Sequence, residues 1–261
     1  PHPPLSFSGE LVFFYPPPPP PPRAPPPPAP RAGAGPPPPP ATGGRAAILC
    51  RMVSYRIDRP EAEWLLVPAH GWSAEQHHLA AYVPLVDPDE RYTATCPRAP
   101  HDLPDGDGAS WYDITSAESV PAASFLAGLD AYTGVVDAEM ERTGIAADHT
   151  IVGGFSQGGF LALAAALRVG APRFAGVWAM CCGLPPDIEG LDLDLSAESG
   201  GERPALIQVG ERDQIVTPDR GRAAADALRG AGWNATVAGY DMAHSQTIEM
   251  MVDARTWLAT V

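Results

Sequence analysis

From about residue 62 onward, short apolar runs alternate with segments of helical period. "EWLLVPA" (63–69) is an apolar run that stops at His70-Gly71 and predicts a strand. "AEQHHLAAYVPLV" (74–86) predicts a helix with Leu79, Tyr82 and Val83 on one face. "RYTATCP" (91–97) is β-rich, and a loop of Pro, Asp and Gly leads on to "SWYDI" (110–114). Phe125, Leu129, Tyr132, Val136 and Met140 fall at spacings of three and four, which predicts a strong helix ended by Gly144. The strand "HTIVGGF" (149–155) precedes a helix over 157–169, and "FAGVWAM" (174–180) is a strand of the fully buried type. A long acidic loop over 183–202 separates it from the strand "ALIQVG" (205–210). A helix over 220–229, the strand "NATVAGY" (234–240) and a helix over 245–258 complete the chain. Strands that alternate with helices predict an α/β fold: a mainly parallel central sheet with helices on both faces. Ligands of such folds bind beyond the carboxyl ends of the strands.

Composition divides the 261 residues in two. Most of the 33 prolines lie before residue 41, in a segment with few apolar side chains and many positions without an N–H donor. Residues 1–51 therefore read as an extended or disordered Pro-rich tail. Two uses compete for it: a ligand arm for an SH3- or WW-like partner, or upstream sequence outside the working protein. The second is favoured, with an α/β domain over 52–261. The tail holds four Arg and one Glu, a net +3, so the net charge of −14 leaves −17 on the remainder. Such a domain repels phosphate backbones, which argues against a nucleic acid partner. No run reaches the roughly 18 apolar residues of a membrane-spanning helix, so stable membrane insertion is not expected. Cys50, Cys96, Cys181 and Cys182 lack zinc-ligand spacing, which points to a reducing, cytoplasmic setting with no metal and no cofactor.

The apolar run before residue 156 ends in "GFSQG", a G-x-S-x-G pattern over 154–158. Its context is a strand before and a helix after, with small residues two positions either side of Ser156. That combination suits a strained turn that lifts a serine hydroxyl clear of the sheet. A glycine turn that merely packs, or holds a phosphate, is the plain alternative. A serine is a weak nucleophile and needs a base oriented by an acid. His244 alone among the seven histidines follows Ser156, and it lies between the last strand and the last helix. Asp213 stands three residues beyond the strand "ALIQVG" and is the favoured acid. Glu211, Asp219 and Asp241 compete, with Asp219 better suited to capping the next helix. The N–H of Gln157 and that of Trp72, in the turn "PAHGW", are the candidate oxyanion donors.

At these residues the chain resembles the phospholipase/carboxylesterase family of α/β-hydrolases, which includes acyl-protein thioesterases and small bacterial carboxylesterases. "GFSQGG" is close to its nucleophile motif, "SWYDI" to its Trp-(Tyr/Phe)-Asp segment, "GERDQIVTP" to its acid motif and "DMAHS" to its histidine motif. The likeness covers about residues 62–258. It departs at "HGWSAE", where the family has a second glycine, and at "CPRAPHDLP". The acidic loop disfavours anionic substrates. "MCC" (180–182) reads as buried packing rather than as nucleophiles. The resemblance implies a serine esterase acting on a small acyl ester, with Ser156, Asp213 and His244 as its triad. Trp72, Trp111 and Leu184 would line an apolar acyl pocket. An acyl thioesterase or lysophospholipase is the alternative within the family, and a non-catalytic binding protein the alternative outside it. A homodimer is left open.

Overall fold

The computed structural model describes residues 53–104, 106, 108–115 and 120–261. The Pro-rich tail and Cys50 lie outside the described residues. Seven strands form the central sheet in the order β1 (Ser54–Ile57), β3 (Tyr92–Pro97), β2 (Trp64–Ala69), β6 (Thr150–Phe155), β7 (Gly176–Met180), β8 (Pro204–Gly210) and β9 (Asn234–Tyr240). All neighbours run parallel except β1, which pairs antiparallel with β3 at the edge. β4 (His101–Asp102) and β5 (Ala109–Ser110) make a separate two-residue ladder. The helices are α1 (Gln76–Ala80), α2 (Val83–Val86), α3 (Ala122–Thr143), α4 (Gln157–Leu167), α5 (Pro218–Gly230) and α6 (Ile248–Leu258). α3, α4 and α5 supply one apolar cluster, and α1, α2 and α6 supply the other on the second face.

The central strands β2, β6 and β7 are buried along almost their whole length, as strands covered on both faces must be. α3 follows the predicted spacing. Gly144 ends it at φ 74°, and its N–H bonds the carbonyl of Met140 at 2.9 Å. No helix among the described residues is long and apolar enough to cross a membrane.

Four expectations differ. The predicted helix over 74–86 is two short ones, because Pro84 has no N–H to carry the ladder across and instead opens α2. α4 stops at Leu167 rather than residue 169, where Arg168 turns extended. α6 begins at Ile248 rather than 245. Thr247 caps it by accepting the Met250 N–H at 3.3 Å, leaving 245–247 to the loop that carries His244. β1 is not foreshadowed, since four half-exposed residues carry no clear period.

That edge strand is tied down by charge. Glu139 on α3 is buried beneath it, with its carboxylate held by Arg56 of β1 (2.6 Å), Arg142 (2.8 Å) and the Thr95 hydroxyl (3.0 Å). Burial alone would raise the Glu139 pKa. The two guanidiniums and the hydroxyl outweigh it and hold the carboxyl below its usual range. Glu139→Gln removes the charge that both arginines face. Both arginines are partly exposed, so the cost lies below the range for a fully buried pair, at about 2 kcal/mol. A lower midpoint in urea unfolding, at unchanged slope, is the expected measurement.

Candidate active site

β6 ends at Phe155 and α4 begins at Gln157, so Ser156 alone makes the turn between them. Its backbone sits at φ 52°, ψ −118°, a conformation disfavoured for a residue with a Cβ. The surrounding packing enforces it. A Cβ at Gly158 would lie 2.0 Å from the Ala69 carbonyl oxygen, and one at Gly154 would lie 2.5 Å from the same atom. Only glycines let α4 start this close to the end of β2. The Ser156 N–H donates to the Met180 carbonyl at 2.9 Å, which ties the turn to β7.

Ser156 Oγ lies 2.9 Å from His244 Nε2, and His244 Nδ1 lies 2.6 Å from Asp213 Oδ2. These three residues come from the loops after β6, β9 and β8. The other oxygen of Asp213 accepts the N–H groups of Ile215 (2.8 Å) and Val216 (2.9 Å), so the carboxylate has a single orientation. The ring of Phe155 packs on that of His244 at 4.9 Å. The competing acids are engaged elsewhere. Asp241 pairs with Arg212 at 2.7 Å, and Glu211 pairs with Arg222 at 2.5 Å. Asp219 does not cap α5. Thr217 holds the cap position, while Asp219 sits in the first turn and pairs with Arg222 at 3.4 Å.

Gln157 is the first residue of α4, where a backbone N–H has no acceptor within the helix. Its side chain does a second job that the sequence reading did not assign. The amide donates to the Tyr112 carbonyl at 2.8 Å, and its oxygen accepts the Trp111 N–H at 3.0 Å. The amino end of α4 is thereby stapled to the "SWYD" loop. Trp72 is half-buried and follows Gly71 in the turn after β2. That turn touches the site: a Cβ at Gly71 would come within 3.3 Å of the Ser156 Cβ.

The turn is held by His70, which is buried. Its Nε2 accepts the Ala99 N–H at 3.0 Å, so the proton resides on Nδ1, which donates to the Gly71 carbonyl at 2.7 Å. Burial first, and the charges of His78 and Arg98 after it, outweigh that bond and lower its pKa to about 4. The unfolded chain takes up this proton near pH 6.5. Below that pH the unfolded state binds more protons, so His70 contributes stability that is full above pH 6.5 and is lost as the pH falls toward 4. NMR titration of the His70 ring should show it neutral down to about pH 4, while the unfolding midpoint falls across that window.

Trp111 does not line an accessible pocket. It is fully buried, stacks edge-on against Tyr132 at 5.9 Å and donates its indole N–H to the His70 carbonyl at 2.8 Å. It supports the turn from below, because a ring this large fills core before it lines a cleft. Leu184 is half-buried against the larger apolar cluster. Cys182 is packed in that cluster. Cys181 is not merely packing: its sulfur lies with the Asp213 carboxylate and the His244 ring in a group whose ligand-type atoms are all within 4.8 Å. Its backbone has φ 46°, and burial, before the Asp213 charge, pushes the thiol to about 12. The thiol is therefore neutral and no nucleophile. Asp213 and His244 are spent on one another, so this group is not arranged to hold a metal.

The family model described as phospholipase/carboxylesterase matches residues 56–261. Acyl-protein thioesterase 1 of Neurospora crassa is 30% identical over 148 residues, covering 53% of this chain and 60% of that protein. A Dictyostelium discoideum acyl-protein thioesterase 1 homolog is 30% identical over 146 residues, covering 53% of this chain and 63% of that protein. The chain thus spans under two thirds of the length of the curated relatives it matches. Among solved structures, esterase PE8 superposes with a TM-score of 0.66 at 22% identity, covering 80% of this chain and 99% of that one. The Zea mays acyl-protein thioesterase 2 superposes at 0.61 and 23% identity, covering 80% and 98%.

Proposed function

The chain belongs to the phospholipase/carboxylesterase family and has an α/β-hydrolase fold, and from that premise we propose that it is a serine hydrolase that cleaves carboxylic esters through an acyl-enzyme intermediate. The observation that carries this reading is the hydrogen-bonded run Ser156–His244–Asp213, at 2.9 and 2.6 Å, on a turn with positive φ. Ser156 Oγ attacks the acyl carbonyl as His244 Nε2 takes its proton. Asp213 keeps the proton of the neutral imidazole on Nδ1 and stabilises the imidazolium that forms. The N–H groups of Gln157 and Trp72 hold the oxyanion, and the amino end of α4 favours negative charge there. His244 then protonates the leaving alcohol, and water, deprotonated by the same nitrogen, releases the acid from Ser156. No metal or cofactor takes part in this sequence of steps.

The substrate is a small acyl ester. The thioester alternative is supported by the names of the Neurospora and Dictyostelium relatives. The reading also places the protein in the reducing cytoplasm, where Cys96, Cys181 and Cys182, all unpaired, remain thiols. Sedimentation would distinguish a monomer from the homodimer that the reading allows. A fluorophosphonate should label the protein once, at Ser156, as located by peptide mass. A folded protein that resists labelling and hydrolyses no p-nitrophenyl ester would instead be a binding protein of this fold. Matched p-nitrophenyl esters and N-acetylcysteamine thioesters of several chain lengths separate esterase from thioesterase. The expected result is a higher kcat/KM on the oxygen esters.

A further inference from the structure

At the amino-terminal end of the sheet, opposite the end that carries Ser156, a cavity of about 110 Å³ opens beside the starts of β7 and β8. Arg168, Arg173, Arg203, Ser199, Asp194 and Trp233 are among the residues that line it. Three guanidiniums against one carboxylate is an unusual ratio in a domain whose net charge is −17.

The charges are poorly neutralised. Arg203 stacks over the Trp233 ring at 4.0 Å and donates to the carbonyls of Gly200 (2.8 Å), Phe174 (3.1 Å) and Ser199 (2.9 Å). Those acceptors satisfy hydrogen bonds but bring no negative charge. Burial, and after it the charge of the nearby Arg173, lowers its pKa to about 10. Arg173 packs against the backbone of Gly201 and pairs with no carboxylate among the described residues. Arg168 reaches only an exposed Asp130, at 3.6 Å. The one carboxylate in the lining, Asp194, is taken by the N–H (3.1 Å) and hydroxyl (2.6 Å) of Ser196 in its own loop. A further donor lacks a partner: Trp233 is 4% exposed, and its indole N–H has no acceptor among the described residues. Left as it stands, that buried indole N–H carries a desolvation cost with nothing to offset it.

We propose that this cavity is a binding site for a small tetrahedral oxyanion of the phosphate class. Guanidiniums present paired N–H donors in a geometry that fits phosphate oxygens, and a doubly charged anion would neutralise the cluster. The site stands apart from the serine chemistry and does not depend on it.

The test is the thermal midpoint of the full chain in inorganic phosphate against sodium chloride of equal ionic strength. At a phosphate concentration about tenfold above Kd, the midpoint of the wild type should rise by about 3 °C over the chloride control. Arg173 is exposed, so Arg173→Gln should fold normally, with its midpoint in chloride unchanged and Kd for phosphate raised at least about fivefold. Glycerol 3-phosphate distinguishes the source. A rise as large as that with phosphate marks a phosphomonoester site, and a rise with inorganic phosphate alone marks a site for the free ion. No rise above chloride in the wild type, or an equal rise in Arg173→Gln, overturns the proposal.

Discussion

Ser156→Ala should lower kcat on a p-nitrophenyl ester by at least about 10⁴-fold, with the protein still folded. The loss follows from geometry. The Oγ that Ala lacks is the atom 2.9 Å from His244 Nε2, and no other nucleophile stands in its place. Cys181 is nearby, but its thiol is held neutral. Ala is a mild replacement here, because it keeps the Cβ and the turn's backbone already lies at φ 52°. Circular dichroism and the unfolding midpoint should therefore stay close to the wild type, and fluorophosphonate labelling should vanish. Retention of most of the activity by a folded Ser156→Ala would end the proposed mechanism.

Asp213→Asn should cost about 10⁴-fold in kcat with KM little changed. The reason is more specific than loss of a charge. One carboxylate oxygen of Asp213 accepts the N–H groups of Ile215 and Val216, and the other faces His244 Nδ1 at 2.6 Å. An Asn at this position must turn its carbonyl oxygen to the two backbone donors, which points its NH₂ at Nδ1. The imidazole then accepts at Nδ1 and carries its proton on Nε2, the nitrogen that has to receive the serine proton. The substitution nearly preserves volume, so the buried site need not collapse. Single-turnover kinetics would separate slowed acylation from slowed release. A loss of less than about tenfold would mean that Asp213 does not set the tautomer.

The order of strands and helices was legible because burial imposes a period on the chain. α3, with apolar residues at spacings of three and four and a glycine after its last turn, shows this best. β1 was not legible, since an edge strand four residues long is held by partners distant in sequence. One of these is Glu139, 83 positions from Arg56. Helix ends shifted by a few residues wherever capping decided the matter, as at Thr247.

For the site, the sequence by itself determined less than the full set of three residues that the fold brings together. Chain order and position after a strand narrow the choice to one serine, one histidine and a few acids. Only the tertiary structure decided among those acids, because Asp241 and Glu211 are excluded by the arginines that occupy them, not by their spacing. The same holds for Trp111 and Gln157. The residue type of Trp111 suggests a pocket wall, whereas packing makes it the support beneath His70, and packing gives the Gln157 side chain a role as a staple to the Tyr112 loop. The placement of Cys181 beside Asp213 and His244, and the gathering of three arginines at the amino-terminal end of the sheet, have no local signature. Periodicity and turn chemistry act between near neighbours and are written in the sequence. Pairing of charges and donors acts between residues that meet only after the sheet has formed.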